Sequence, residues 1–414
     1  MADLLNVDLA LEQILAQLVQ LPTEVVLLSA ALNRVLANDV VADISLPPFA
    51  NSSMDGYAVR AADVGNADKA NPATLKVVMD IPAGVSPNRP IGPGEAARIL
   101  TGAPLPEGAD CVIPVEQTDG QWYNQVGTPL AGTVKVYKGG RLGDYVRPIG
   151  EDIRAGQIVL HKGRVLGPAD IGVLAGLGHS QVKVVRQPRV AILGTGDELV
   201  SVDEPLSPGK IRDTNSYTLE ALVTTLGAQP IRLPIAQDRL EDVRALFHSA
   251  LDQKPDLILS SAGVSVGAAD LVRTVLDELG QVGLWRVNLR PGKPLAFGNL
   301  QGVPFFGLPG NPVSAMVTFD LFVRPALLKI AGKSDIRKTV YATVAEDLKS
   351  DGRRSYLRVR LERDNGRLIA STTGTQSSGA LMSMVLADGL LIVPEDVMQV
   401  KAGTELPVRL LRDI

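Results

Sequence analysis

Hydrophobic and polar positions alternate with several different spacings along the chain, and each change of spacing marks a predicted element. Four apolar residues near the N-terminus share one helical face: Leu11, Ile14, Leu15 and Leu18. They predict a helix over residues 8–20 with Asp8 as its N-cap. A second short helix is predicted near residues 29–38. Residues 45–148 consist instead of short apolar pieces separated by proline and glycine, which is typical of a small β-rich domain.

Helical patterning returns after this region, and residues 149–186 are predicted to join residues 1–44 in a discontinuous helical N-terminal domain. From 187 to 332 strand-like and helix-like segments alternate. Short continuous apolar runs such as RVAILG and DLILSS are typical of parallel strands covered on both faces. The segments between them place apolar residues at helical spacing. Residues 187–332 are therefore predicted to form a doubly wound α/β domain.

The last segment, residues 333–414, returns to strict alternation in RSYLRVRLER and RLIASTT. The Asp364-Asn365-Gly366 sequence between these runs suits a tight hairpin, because Asn and Gly tolerate positive φ. We therefore predict a C-terminal β-barrel-like domain. The fold class is a multidomain α/β and β protein with four domains.

The composition of the chain restricts the kinds of ligand and metal site that it can form. The chain has 414 residues, more than one hydrophobic core usually organises. Its 41 Lys and Arg against 45 Asp and Glu leave a net charge of −4, so no global positive field attracts nucleic acid or anionic lipid. We find no long apolar run and no basic leader, and we expect a cytoplasmic protein with no membrane segment. A single cysteine and three scattered histidines argue against thiolate, zinc or iron sites, which leaves a hard cation such as Mg²⁺.

Three glycine-containing turns follow apolar strands of the predicted α/β domain. They are GTGDEL at 194–199, SAGVSVGAAD at 261–270 and LPGNPVSA at 308–315. Strand ends in an open parallel sheet form a ligand crevice, and a helix that begins after the turn offers free N–H groups to an oxyanion. Each turn alone also has a purely steric explanation. The three together favour an anion-binding crevice.

Charged side chains accompany the same turns. The carboxylates are Asp197, Glu198, Asp213 and Asp270. A bridging Mg²⁺ would reconcile them with a phosphate ligand. Alternatively, Asp213 caps the following helix or binds the backbone of its turn, and Glu198 is solvated. Lys293 and Arg290 in RPGKP are candidate cationic partners for the anion, or an ordinary surface pair.

The segment PPFANSSMDGYAV at 47–59 is an unusual loop, since it combines prolines, polar residues and an Asp-Gly step before an apolar strand. Asp55 in this segment, Thr101 in LTGAPLPEGAD and Asp152 in PIGEDI lie in turn-rich contexts. Each is either a functional side chain or a turn cap. From the residues alone, the chain is predicted to be an anion-binding, metal-assisted α/β enzyme.

Eight motifs occur in the order and approximate spacing of a known family: PPFANSSMDGYAVR, LTGAP, GED, TGDEL, DTN, AGVSVGAAD, RPGKPLAFG and GLPGNPVSA. On these motifs the chain resembles the molybdopterin molybdenumtransferase family, which includes bacterial MoeA and the E domain of gephyrin. The resemblance implies a four-domain homodimer whose active cleft lies between the α/β domain of one subunit and the small β domain of the other. It implies the final step of molybdenum cofactor biosynthesis: insertion of molybdate into adenylylated molybdopterin with Mg²⁺-dependent release of AMP.

The resemblance also implies roles for individual residues. The catalytic candidates are Asp55, Glu198, Asp213, Asp270 and Lys293, of which Asp213 and Asp270 hold the metal. The substrate-binding candidates are Thr101, Asp152, Gly263, Ser265, Gly267, Arg290, Pro309, Asn311, Ser314, Arg358 and Ser378. Mg²⁺ is the expected cofactor and molybdate a substrate. Transient contacts with the adenylyltransferase and with apo-molybdoenzymes are expected.

The chain departs from the family pattern at four positions. Ala262 stands in place of the first glycine of GGVSVG, Ala50 replaces the Asp of FDN, and Arg273 and Arg290 occupy positions where lysine is frequent. Arginine keeps the charge but changes the hydrogen-bond geometry, so anion affinity is expected to differ. Two other functions remain open here: adenylylation of molybdopterin, which would consume ATP, and a gephyrin-like scaffold, for which the chain has no additional partner domain.

Overall fold

The structure is a computed structural model that describes residues 4–120, 130–261 and 269–413, with the backbone alone at 269 and 270. Packing divides the chain into two compact units. The first contains the described parts of 1–26, 33–37 and 183–414, and the second those of 27–32 and 38–182. The predicted boundaries of the four domains are finer than this division and stay a prediction.

Nine α-helices lie in the described residues: α1 (Val7–Ala16), α2 (Ala61–Val64), α3 (Pro168–Gly176), α4 (Thr214–Thr225), α5 (Leu240–Asp252), α6 (Ala269–Leu279), α7 (Pro312–Thr318), α8 (Arg324–Ile330) and α9 (Met382–Val385). A π-helical turn, Phe319–Val323, joins α7 to α8. Two short 3₁₀ turns occupy Leu28–Ala30 and Val115–Gln117.

Strands of the first half of the chain are β1 (Thr23–Leu27), β2 (Val40–Val41), β3 (Asn51–Ser52), β4 (Gly56–Val59), β5 (Ala73–Ile81), β6 (Glu95–Ile99), β7 (Cys111–Pro114), β8 (Thr133–Val136), β9 (Val146–Arg147), β10 (Ile158–Leu160), β11 (Gln181–Val185), β12 (Arg189–Leu193) and β13 (Leu199–Val200). Those of the second half are β14 (Ile211–Arg212), β15 (Gln229–Arg232), β16 (Leu257–Ser260), β17 (Gly280–Arg286), β18 (Leu289–Arg290), β19 (Pro294–Leu300), β20 (Val303–Gly307), β21 (Thr339–Val344), β22 (Leu348–Lys349), β23 (Arg354–Asp364), β24 (Arg367–Thr372), β25 (Gly389–Val393), β26 (Gln399–Val400) and β27 (Glu405–Leu410).

The α/β region confirms the predicted doubly wound fold. Its six-stranded sheet has the order β15-β12-β16-β20-β19-β17. The first four strands pair in parallel, and β19 and β17 add an antiparallel edge. Fully buried strands such as β16 explain the continuous apolar run DLILSS, because helices cover both faces of a parallel sheet.

The C-terminal strands confirm the predicted β-barrel-like domain. Five strands follow one another in the order β23-β24-β21-β27-β25, and β23 pairs with β25 to close the barrel. Outside the barrel, β18 pairs in parallel with the first residues of β23. The predicted hairpin joins β23 to β24 through Asn365 and Gly366, whose φ values are 47° and 81°. These positive values are the ones that a two-residue turn of this kind requires.

The second unit confirms a small β-rich domain. Its main sheet has the order β7-β4-β6-β5-β8, and β4, which carries GYAV of the unusual loop, is buried along its whole length. Tyr57 on β4 packs in the apolar cluster that fills this sheet. The sheet therefore fixes the residues that precede it, including Asp55.

Two N-terminal predictions are wrong. The first helix begins at Val7 and is capped by Asn6, whose side chain accepts hydrogen bonds from the N–H groups of Asp8 and Leu9. Asp8 lies in the first helical turn and pairs with Arg354 at 2.7 Å. The second predicted helix is only a 3₁₀ turn, because Asn33 adopts a φ of 63°, which a right-handed helix cannot continue through.

Candidate functional site

The candidate site lies where the strand order of the α/β sheet reverses. The chain passes from β12 to β15 on one side and then to β16 on the other. Crevices outside the carboxyl ends of strands at such a switch point are the usual ligand sites of open α/β sheets. In the sheet, Leu193 is paired with Ser260, and Ser260 with Gly307. The carboxyl ends of β12, β16 and β20 therefore lie at one edge of the sheet.

Two carboxylates contact the turn after β12. A Cβ atom placed on Gly194 would lie 3.1 Å from Oδ2 of Asp213, and one placed on Gly196 would lie 2.6 Å from Oε2 of Glu198. The turn must therefore be almost free of side chains for the two acids to approach it. Thr195 lies between these glycines, and its buried Oγ1 has no hydrogen-bond partner among the described residues.

Asp213 serves as the N-cap of α4, so the alternative that it caps this helix is confirmed. Its Oδ1 accepts the backbone N–H of Ser216 at 3.0 Å. Its Oδ2 faces Gly194 and accepts no hydrogen bond within the described part of the chain. Capping uses one oxygen only, and the second remains available to a cation or a protonated ligand.

The oxygen donors around this turn fit Mg²⁺. Within the described ranges no three His, Cys, Asp or Glu side chains converge, so the described side chains alone do not complete the shell of a cation. Mg²⁺ in phosphate chemistry is commonly held in this way, by one or two carboxylates together with phosphate oxygens and water. The predicted second metal ligand, Asp270, lies at the start of α6, and its side chain is outside the description. Gly263, Ser265 and Gly267 also lie outside the described residues, as does Ala262.

The turn after β20 is tied to the start of α4 by a residue that the sequence did not single out. Nδ2 of Asn215 donates to the carbonyl of Gly310 at 2.7 Å, and Oδ1 of the same amide is buried without a partner in the described structure. Pro309 is buried in this turn, while the carbonyl of Asn311 accepts the N–H of Ala315. The available signal was the position of Asn215 as the third residue of DTN.

The RPGKP segment presents its two cations differently. Lys293 is half-buried and makes no ion pair with any described residue. Nη1 of Arg290 lies 3.7 Å from a carboxylate oxygen of Asp351, a residue of the C-terminal region. Gly292 between them has a φ of 106° and packs against Thr318. Arg290 is thus an ion-paired residue rather than a free surface cation, and Lys293 is the unpaired one.

Arg358 on β23 is a buried cation with no carboxylate partner in the described residues. Its side chain donates to Oγ of Ser383 and to the carbonyl of Ser377, both at 3.1 Å, and it is 1% exposed. Burial lowers the pKa of Arg358 to about 10, and the positive charge of Arg290 contributes to the lowering. Arg290 and Arg358 thus form a cationic centre that an anion would stabilise.

The loop after β24 joins this cation to the α/β region. Gln376, which the sequence did not single out, accepts the N–H of Arg358 at 2.9 Å and donates to its carbonyl at 3.1 Å. The carbonyl of Ser378 accepts the N–H of Val313 in α7 at 3.0 Å. Ser314, the next residue of α7, is buried. The loop that carries Gln376 and Ser378 therefore hydrogen-bonds to Arg358 at one end and to the start of α7, next to Ser314, at the other.

In the second unit the structure brings Asp55 and Thr101 together. Oδ1 of Asp55 accepts both the N–H and the Oγ1 hydroxyl of Thr101, each at 2.7 Å. Asp152 is exposed, and its N–H donates to the carbonyl of Leu46. Its carboxylate makes no hydrogen bond within the described part of this unit, so Asp152 is not joined to that pair.

Replacement of Gly196 by Ala is expected to lower the activity of the site about tenfold. The added Cβ would lie within 2.9 Å of all three atoms of the Glu198 carboxyl group, which must then move. Gly209→Ala is the matched control, because Gly209 has a φ of 81° but open space around its Cβ. Turnover and melting temperature are measured for both. Equal activities of the two variants would show that the position of Glu198 is unimportant.

Thr101→Val is expected to reduce activity about tenfold, and Thr101→Ser to retain most of it. Valine removes the hydroxyl that orients Asp55 but keeps the shape and the backbone N–H, whereas serine keeps the donor. Steady-state turnover of the two variants is the measurement. A loss in Thr101→Ser as large as that in Thr101→Val would contradict a role for the hydroxyl.

The fold, the oxygen donors at the switch point and the buried arginine are those of a multidomain α/β protein with a candidate oxyanion site. The chain belongs to the MoeA family. Its residues 5–178 match the family region described as "MoeA N-terminal region (domain I and II)", residues 191–329 the "Probable molybdopterin binding domain", and residues 341–411 the "MoeA C-terminal region (domain IV)".

Individual relatives agree with this assignment. "Molybdopterin molybdenumtransferase 2" of Mycobacterium tuberculosis is 40% identical over 392 residues, which are 92% of this chain and 93% of the relative. "Molybdopterin molybdenumtransferase" of Haemophilus influenzae is 36% identical and covers 98% of both chains. The crystal structure of a molybdopterin biosynthesis MoeA protein from Pyrococcus horikoshii superposes with a TM-score of 0.81 at 35% identity, covering all of both chains. No described helix is both long and apolar enough to cross a membrane.

Proposed function

We propose that this chain is a molybdopterin molybdenumtransferase, which inserts molybdate into adenylylated molybdopterin and releases AMP. The observation that carries the proposal is the presence, within one compact unit, of an oxygen-donor turn at Gly194–Glu198 and of the buried Arg358, which has no carboxylate partner among the described residues. The first suits a phosphate-bound cation and the second an oxyanion. Relatives that carry this enzyme name and align over nearly the whole chain support it.

In this proposal Asp213 and Asp270 hold Mg²⁺, with Glu198 beside them. Bound Mg²⁺ supplies a Lewis acid for cleavage of the phosphoanhydride. Asp213 is suited to its part because α4 fixes the carboxylate through Ser216 and leaves Oδ2 directed at the Gly194 turn. A carboxylate fixed in this way needs little reorganisation when its ligand arrives.

In this proposal Lys293, Arg290 and Arg358 bind the oxyanion groups of the substrates. Lys293 has no ion-pair partner in the described part of the chain, and Arg290 and Arg358 lie close enough for the charge of one to affect the other. Guanidinium groups bind tetrahedral oxyanions through paired N–H donors. The dithiolene of the substrate supplies the sulfur ligands of molybdenum. This is consistent with the cysteine content of the chain, because its single cysteine, Cys111, is buried.

We further propose that the protein acts as a cytoplasmic homodimer in which Asp55 serves the active site of the partner subunit. Mixing an Asp55→Asn chain with an Asp213→Asn chain tests this arrangement. Mixed dimers would contain one site with both aspartates intact, so activity is expected to return to about a quarter of the wild-type value after subunit exchange. No recovery after exchange, with dimers formed, would place Asp55 in the site of its own chain.

The decisive experiment measures AMP release from adenylylated molybdopterin by the purified chain, with Mg²⁺ and with or without molybdate. Activation of a cofactor-free molybdoenzyme is followed in the same reaction. Molybdate-dependent AMP release with activation is the expected result. ATP consumption with formation of adenylylated molybdopterin would identify an adenylyltransferase instead, and no turnover with any divalent ion would reject both enzyme functions.

A further inference from the structure

Asp351 lies beside two arginines, Arg290 and Arg353, in an arrangement that the transfer reaction itself does not explain. Its carboxylate pairs with Arg353 and lies 3.7 Å from Nη1 of Arg290. Arg353 in turn donates to the carbonyl of Leu289 at 3.2 Å, which anchors this loop to β18. Asp351 is thus attached to the strand that leads into RPGKP.

Local charges around Asp351 do not balance. Arg354, the next cation along β23, is compensated by Asp8 and Glu395. Arg290, Arg353 and Arg358 are left with a single described carboxylate partner, Asp351. Three arginines against one carboxylate leave the described charges of this region net positive, which favours the approach of an anion.

The ion pair between Arg290 and Asp351 is weak enough to open. Both side chains are about 40% exposed, and a solvent-screened ion pair of this kind contributes little stability. A doubly charged anion that binds Arg290 must compete with the carboxylate of Asp351 for the guanidinium group. Arg353 holds Asp351 more closely than Arg290 does, so Asp351 stays in place while Arg290 changes partner.

We propose that Asp351 is the resident counter-ion of Arg290 and that it sets the affinity of the site for the molybdate-type oxyanion. It acts as a positioning residue through Arg290 and does not touch the substrate. The inference rests on the proposed function, because it assumes that Arg290 binds the oxyanion. It also assigns a consequence to arginine at position 290, since a guanidinium offers two edges and can turn from the carboxylate to the anion without leaving the site.

Calorimetric titration of the full-length chain with sodium molybdate, without pterin, tests the proposal. Asp351→Asn is expected to tighten molybdate binding about threefold to tenfold, because it removes the competing charge while its amide oxygen still accepts from Arg353. Asp351→Glu keeps the charge and is expected to bind like wild type. Asp347→Asn is the matched control, since Asp347 pairs with Lys401 in the same region.

The same titrations in an Arg290→Gln background separate the possible results. Arg290→Gln is expected to weaken binding and to remove the effect of Asp351→Asn. Unchanged or weaker binding by Asp351→Asn, or equal tightening in both backgrounds, would overturn the counter-ion role. If wild type binds molybdate and Arg290→Gln binds it equally well, the anion lies elsewhere and the counter-ion role fails with it. AMP release by wild type tests the proposed function separately, so either can fail alone.

Discussion

Asp213→Asn is expected to lower molybdate-dependent AMP release by at least about 100-fold while the fold stays intact. Asparagine is as good an N-cap as aspartate, so its amide oxygen can still accept the N–H of Ser216. The substitution removes the negative charge from the oxygen that faces Gly194. Loss of an anionic ligand for a cation that stabilises the transition state costs several kcal/mol, or about two orders of magnitude and more in rate.

Asp213→Ala provides the comparison for this prediction. It removes the cap as well as the charge, so it is expected to lose the same activity and about 1 kcal/mol of stability in addition. Thermal melting and turnover of both variants are the measurements. If Asp213→Asn turns over like wild type, the residue is a helix cap only, and the assignment of the metal end of the site must be withdrawn.

Sequence patterns predicted those parts of the fold that depend on local repetition. The alternating segments predicted the strands and helices of the doubly wound sheet, and Asn365-Gly366 predicted the hairpin of the barrel, because each single element and turn is specified by residues close together in the sequence. The helix cap was placed two residues late, at Asp8 rather than Asn6. Asp and Asn both cap helices, and only the pairing of Asp8 with Arg354, 346 residues away, shows what the aspartate does.

The site was predicted less completely, for a similar reason. The acids beside glycine turns were recognisable, since Glu198 and Asp213 lie in motifs and their approach to the turn depends on the glycines themselves. The residues that the sequence did not single out form side-chain hydrogen bonds to backbone groups distant in the sequence. Asn215 binds the carbonyl of Gly310, and Gln376 binds both polar backbone groups of Arg358. Neither type of residue carries an intrinsic chemical signal, so only the folded chain reveals the contact.

Gly292→Ala, in the RPGKP segment, is expected to lower both the stability of the protein and its affinity for molybdate. Gly292 has a φ of 106°, which side chains rarely adopt, and an added Cβ would lie 2.5 Å from the buried Oγ1 of Thr318. Backbone strain and overpacking together are expected to cost about 2–4 kcal/mol of stability. The segment relieves the clash by moving, which displaces Arg290 and Lys293. Molybdate affinity is therefore expected to fall at least about tenfold.

Two further variants separate strain from collision. Gly302→Ala has a similar backbone penalty, since Gly302 has a φ of 92°, but open space surrounds its Cβ, so only a small loss of stability and no loss of affinity are expected. Thr318→Ala in the Gly292→Ala chain removes the colliding oxygen and should restore the part of the affinity that the collision cost. Denaturant unfolding and molybdate titration measure the two effects. If Gly292→Ala is destabilised yet binds molybdate like wild type, the RPGKP segment supports the fold without shaping the anion site, and the cations must be sought on other loops.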